Sequence, residues 1–247
     1  MGAWHREVEG AVTILTLTRP PINALDGPAL EELGHNLTAI AADAGVRVLV
    51  ITGGHGRVFC AGGDLEYWKH ISDGCAVRDA GRRVFAQLAS LELPTVAAIN
   101  GHVVGDGLAL ALACDLRWVA DDATFRLPEL RYGFIPGWGT LEQLIRLIGR
   151  SHATDLLLTG RALGAAAAEA MGLVHAVVPR GRLPDEARLL GWVMAALPPA
   201  AVRAAKRALK SGEASAAFAG VWGSAEWVDG MKAFHEERVP RARGIAR

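Results

Sequence analysis

The chain has 247 residues, its 26 Lys+Arg balanced by 26 Asp+Glu, with 51 % apolar and 21 % charged residues. That suits a globular chain with a large core, and the neutral balance gives no field to gather nucleic acid or anionic lipid. Three cysteines, Cys60, Cys75 and Cys114, are too few and too scattered for a disulfide framework or a metal site. Free thiols, a start without signal-peptide layout and no apolar run long enough for a bilayer together predict a cytoplasmic protein with no membrane partner.

Val12, Ile14, Leu15 and Leu17 predict a strand over 11–18, ended by Arg19-Pro20-Pro21. Pro28 suits the first turn of a helix running to about residue 42. Strands follow over 47–52 and 95–100, separated by a helix over 77–91 with Val77, Val84, Phe85, Leu88 and Leu91 on one face. Residues 108–113 are apolar all round, hence a buried helix. Further strands are expected over 115–120 and 176–179, and helices over 140–148, 153–159 and 165–171, with Gly149, Gly160 and Gly172 as C-caps. From Pro184 onward every segment reads as helical: 184–197, 199–210 and 218–237. The organisation expected is an α/β core over 1–190 and a helical region over 191–247.

Both central strands lead into Gly-broken turns. The first is Phe59-Cys60-Ala61-Gly62-Gly63-Asp64-Leu65, the second Asn100-Gly101-His102-Val103-Val104-Gly105-Asp106-Gly107-Leu108-Ala109. Two such turns are able to aim two backbone N–H groups at one oxygen, as an oxyanion hole does. Glu129 follows at a distance that returns it to the same place, and Phe125, Leu127, Leu130 and Phe134 around it predict a raised pKa. Leu110 stands where a dinucleotide fingerprint needs its third Gly, so no nicotinamide or flavin cofactor is expected. His102 and Cys60 read as structural.

These motifs occur in order with Arg19-Pro20-Pro21-Ile22-Asn23-Ala24-Leu25, Cys114-Asp115, Gly133-Phe134-Ile135-Pro136-Gly137 and Ala170-Met171-Gly172-Leu173-Val174. Over residues 10–190 that series resembles the crotonase family of enoyl-CoA hydratases and isomerases. The resemblance implies a spiral of ββα units with a C-terminal helical trimerisation region, giving a homotrimer or a dimer of trimers. It implies an acyl-CoA thioester as substrate, with coenzyme A entering as part of that substrate and no separate cofactor. The amides of Gly63 and Asp106 would hold the thioester oxygen while the α-carbon becomes enolate-like, and Glu129 would move protons. CoA and acyl contacts would come from Arg19, Asn23, Ala24, Leu25, Cys60, Ala61, Gly62, Asp64, Leu65, Gly105 and Trp138. Lys69, Lys232, Arg241 and Arg243 are further candidate cations for phosphates, each read in preference as a solvated charge.

Two positions depart from the family pattern. Ala109 stands where the hydratases carry a second Glu, and Asp106 stands where Gly is usual. One carboxylate suffices to shift a double bond from the 3,4 to the 2,3 position, so isomerisation by Glu129 alone is the expected reaction. Hydration, with Asp106 or Glu142 as a second acid, and decarboxylation of a malonyl-type CoA are the alternatives; an acyl-CoA-binding protein with decayed catalysis is the non-enzymatic one. The Asp106 side chain is expected to cap the helix that follows it.

Overall fold

Repeated strand–strand–helix units make up the computed structural model, which describes residues 2–54 and 56–236. Strands β1 (Trp4–Glu9) and β2 (Val12–Leu17) lead into α1 (Gly27–Ala42). Strands β3 (Val48–Gly53) and β4 (Val58–Cys60) lead into the single turn α2 (Leu65–Trp68) and then α3 (Gly74–Ser90). Strands β5 (Thr95–Ile99) and β6 (His102–Val104) precede α4 (Gly107–Leu112). Strands β7 (Leu116–Ala120) and β8 (Thr124–Arg126) precede a 3-10 turn over Glu129–Tyr132 and α5 (Thr140–Thr159). The chain continues through β9 (Leu163–Gly164), α6 (Ala165–Ala170), β10 (Ala176–Val178) and α7 (Leu183–Ala195), and ends in α8 (Pro199–Ser211), α9 (Ala214–Val221) and α10 (Ala225–His235).

From β3 onward each unit divides its strands between two sheets. The larger sheet has six strands in the order β1-β2-β3-β5-β7-β10, parallel from β2 onward. Val48–Ile51 and Val96–Ile99 are buried throughout, as parallel strands covered on both faces require. The smaller sheet has the order β4-β6-β8-β9, with β4, β6 and β8 parallel. Parallel neighbours end at the same edge, about 4.8 Å apart. Gly63, Asp106 and Glu129 each lie within three residues of the end of β4, β6 and β8, so the small sheet delivers all three to one edge.

The expected strands and helices of the larger sheet form with boundaries shifted by a few residues, and α4 is wholly buried as its sequence demands. The strand β1 and the three-residue strands of the small sheet were not predicted. Each short strand is too short to show alternation, and β4 and β6 lie inside or beside Gly-rich turns. Gly149, at φ 75° and ψ 161°, breaks α5 into the two limbs expected. The helix expected over 218–237 is two helices, α9 and α10, with Gly223 between them at φ 75°; residue 237 lies outside the described residues. The helix α7 runs across position 190 and lies on the larger sheet, where a Cβ on Gly191 would stand 3.1 Å from the Val12 side chain. The core therefore extends to the end of α7. No described helix is long and apolar enough to cross a membrane.

Candidate active site

The two glycine turns are pressed together. A Cβ on Gly62, whose φ is +81°, would lie 3.0 Å from the Val104 carbonyl and 3.1 Å from the Asp106 amide nitrogen. A Cβ on Gly107 would lie 2.2 Å from the Cys60 carbonyl oxygen and 3.0 Å from the Gly62 nitrogen. Only glycine permits this approach of backbone to backbone. Leu25 extends the first turn: its N–H donates to the Gly62 carbonyl (2.7 Å) and its carbonyl accepts from the Asp64 N–H (2.9 Å). The amides of Gly63 and Asp106 donate to no acceptor among the described residues. Two free amides on adjoining turns are able to bind an anionic oxygen.

Glu129 is 3 % exposed. Its Oε1 would lie 2.6 Å from a Cβ on Gly105, so the carboxyl lies against the second turn at a point where only hydrogen leaves room. Gly105 holds φ +55°, and its N–H donates to the Arg126 carbonyl (2.8 Å), which ties the turn to β8 and hence to Glu129. Glu129 Oε2 is buried without a hydrogen-bond partner among the described residues. Burial, reinforced by the negative charge of Asp106, pushes the Glu129 carboxyl up to about 7. Phe125 and Leu127 form the buried surround expected of them, whereas Leu130 and Phe134 are exposed. A lone carboxyl poised near neutrality beside two free amides suits proton transfer at a carbon next to a carbonyl.

The Asp106 side chain does not cap α4, which corrects the expectation. Its backbone lies at φ −66° and ψ −2°, already helical, and the extended geometry from which a side chain reaches forward to the next turn is absent. The carboxylate accepts instead from the Gly137 N–H (2.9 Å), the Trp138 N–H (3.2 Å) and the Thr140 hydroxyl (2.7 Å). The ordinary φ also shows that a non-glycine residue sits at 106 without strain. Glu142 is half exposed and paired with Arg82 at 2.8 Å. Ala109 is completely buried in α4.

Trp138 is buried, and its indole N–H donates to the Val77 carbonyl (2.9 Å). The ring meets Phe85 and Trp68 edge-on, with centroids 5.7 and 6.1 Å away. It fills space that Gly81 leaves open, since a Cβ there would stand 2.2 Å from the ring. Its Cη2 would lie 3.2 Å from a Cβ on Gly63, so this core aromatic also borders the free amide. Trp68, anchored by its indole N–H to the Leu25 carbonyl (2.9 Å), also borders Gly63. Gly81 and Thr140 were missed as contributors, because their part lies wholly in contacts across the fold.

Arg19 is placed differently from a phosphate-binding cation. Its guanidinium donates to Asp26 (2.5 Å), Asp64 (2.8 Å) and the Ala24 carbonyl (2.7 Å). Asp26 caps α1 and Asp64 caps α2, so Arg19 knits two helix starts to the loop between β2 and α1. Asn23, at φ 54°, fixes the same loop by donating to the Val58 carbonyl (2.9 Å). Ala24 and Leu25 are buried, while Leu65 is exposed just past the first turn. Cys60 is fully buried and its thiol is pushed up to about 12 by that burial, so it serves as a small apolar residue. His102 shares a 2.9 Å hydrogen bond with Thr124 in the small sheet. Lys69 pairs with Glu66 and Lys232 with Glu236; Arg241 and Arg243 lie outside the described residues. No three His, Cys, Asp or Glu side chains are grouped for a metal among the described residues.

The family model for enoyl-CoA hydratase/isomerase matches residues 7–240. A probable enoyl-CoA hydratase of Mycobacterium bovis is 34 % identical over 246 residues, covering 95 % of each chain. The 2,3-dehydroadipyl-CoA hydratase of Escherichia coli is 35 % identical, over 94 % of this chain and 95 % of that one. The crystal structure of an enoyl-CoA hydratase from Bacillus anthracis superposes with a TM-score of 0.92 at 35 % identity, covering 98 % of this chain and 99 % of that one. With fold and sequence agreeing over nearly its whole length, the chain belongs to the enoyl-CoA hydratase/isomerase family, the crotonases.

Proposed function

We propose that the protein is an enoyl-CoA isomerase that moves a double bond from the 3,4 to the 2,3 position of an acyl-CoA. The observation that carries this reading is the solitary state of Glu129, with an apolar Ala109 buried in α4 and the Asp106 carboxylate engaged by three donors. In this mechanism the thioester oxygen lies between the Gly63 and Asp106 amides. The Glu129 carboxylate takes a proton from C2, and the electron pair moves through the carbonyl to an enolate oxygen held by the two N–H groups. The double bond then forms between C2 and C3 as the same carboxyl returns the proton to C4. Hydration is the second reading, favoured by the names of the relatives above, which are hydratases.

A panel of 3-enoyl-, 2-enoyl- and malonyl-type CoA esters separates these readings. Expected is conversion of 3-enoyl-CoA to the conjugated ester, faster than water addition to 2-enoyl-CoA and without carbon dioxide release. Faster hydration would overturn the isomerase reading. The turnover should rise with pH through about 7, because the base must be ionised and its carboxyl is held there. A plateau reached already near pH 5 would contradict that assignment.

Assembly as a homotrimer or a dimer of trimers belongs to the same proposal. Phe218 on α9, Trp222 just after it and Phe234 on α10 are 61, 59 and 76 % exposed, an apolar surface that a second copy would cover. Sedimentation velocity is expected to give three or six copies per particle; a monomer at micromolar concentration would remove the proposal.

A further inference from the structure

Asp106 is a half-buried carboxylate to which the mechanism above gives no task, since that mechanism uses only its backbone amide. We infer that its side chain is a positioning device: it locks the 137–140 turn across the site and so holds Trp138 against Gly63. The inference rests on the acyl-CoA reading only for its catalytic consequence; the geometry stands independently.

The carboxylate accepts from Gly137, Trp138 and Thr140, and these bonds favour its ionised form, although burial still holds its pKa above the usual carboxylate range. Those donors belong to the start of α5. Gly139, its N-cap at φ 95°, has no side chain to offer, and Asp106, from another element, ties down the two amides that lead into the helix and the hydroxyl of its first residue. The turn fixed in this way carries Trp138, whose ring reaches into the slot beside Gly81 and ends at Gly63. A continuous path therefore runs from the Asp106 amide through its carboxylate, the Trp138 backbone and the indole to Gly63. One residue contributes one oxyanion donor and steadies the wall beside the other. With Gly at 106, the family's usual residue, this path has no first link.

Two acids face this carboxylate: Glu142 on α5, itself neutralised by Arg82, and Glu129 from the 3-10 turn. The field of Asp106 at Glu129 gives the test a readout that a merely structural residue would not move. In Asp106→Asn the size is kept, but the charge is lost and one amide hydrogen faces a donor. The Glu129 midpoint, followed as the carboxyl infrared band absent from Glu129→Gln, is expected to fall below about 7. Iodide quenching of the Trp138 fluorescence, isolated by subtraction of Trp138→Phe, is expected to increase, and kcat to fall by up to about 100-fold with less change in KM. Thr140→Val removes one donor and leaves the charge in place. It is expected to loosen Trp138 in the same direction with the Glu129 midpoint unmoved, and it serves if Asp106→Asn does not fold.

An unmoved Glu129 midpoint together with unchanged quenching in Asp106→Asn would overturn the inference. So would unchanged quenching in Thr140→Val, should that be the only variant that folds. Neither the infrared nor the quenching readout needs turnover. Loss of the isomerase reading would leave both intact, and full activity in Asp106→Asn would remove the inference while leaving that reading standing.

Discussion

Glu129→Gln is expected to lower turnover of 3-enoyl-CoA by roughly 10²- to 10⁴-fold while leaving the affinity for the thioester nearly unchanged. The amide matches the carboxyl in shape but takes no proton from C2 and returns none to C4. In the single-base reading neither neighbouring position substitutes for it, because Ala109 is apolar and Asp106 is held by its three donors. The same variant should be more stable than the parent at neutral pH. A carboxyl whose pKa is raised on folding, here from 4.5 to about 7, is a source of stability below its unfolded pKa and loses that contribution as pH rises through the folded value. For a shift of this size the native base costs about 3 kcal/mol once fully ionised. Thermal denaturation is therefore expected to show Glu129→Gln melting higher at pH 8 and level with the parent near pH 4. Near-normal turnover in the variant would refute the single-base mechanism; a lower melting temperature at pH 8 would refute the account of its raised pKa.

Gly107→Ala is the second large effect. Its Cβ would meet two backbone atoms, the Cys60 carbonyl oxygen at 2.2 Å and the Gly62 nitrogen at 3.0 Å, and neither has a flexible end that could swing away. The turns must separate, and the Gly63 and Asp106 amides no longer converge. Misplacing one oxyanion donor is expected to lower kcat by about 10²- to 10³-fold, and the overpacking to destabilise the fold by about 1–3 kcal/mol. Gly74→Ala, at the start of α3 with open space around it, is the control and should leave kcat unchanged. If Gly107→Ala matched that control in steady-state kinetics, the two turns would not form one oxyanion site.

Much of this architecture is written locally. The runs at 47–52 and 95–100 are apolar enough to be buried parallel strands under any tertiary arrangement, and Leu108–Leu112 has no polar face to show to water. Gly149, Gly160 and Gly172 break or end helices where expected because positive φ is a local matter of one residue. The ordered motifs identify the family, and Glu129 among apolar neighbours signals a raised pKa before any coordinates are known.

Side-chain partners across the fold are a different kind of fact. Arg19 looks like a free cation in sequence, yet Asp64, forty-five positions further along, neutralises it together with Asp26. Asp106 carries the local signature of an N-cap, but its helical backbone turns the carboxylate towards Gly137–Thr140 instead. The small sheet, with strands as short as two or three residues, is invisible to periodicity and is stabilised by pairing between segments far apart in the chain. That sheet sets Gly63, Asp106 and Glu129 on one edge. Residue chemistry and backbone preference act over a few positions, so they specify the strands, the turns and the presence of a single acid. Convergence of three strand ends, and the partner each charge finds, depend on close packing between distant segments, where the approach of one backbone to another selects the glycines and leaves two amides free.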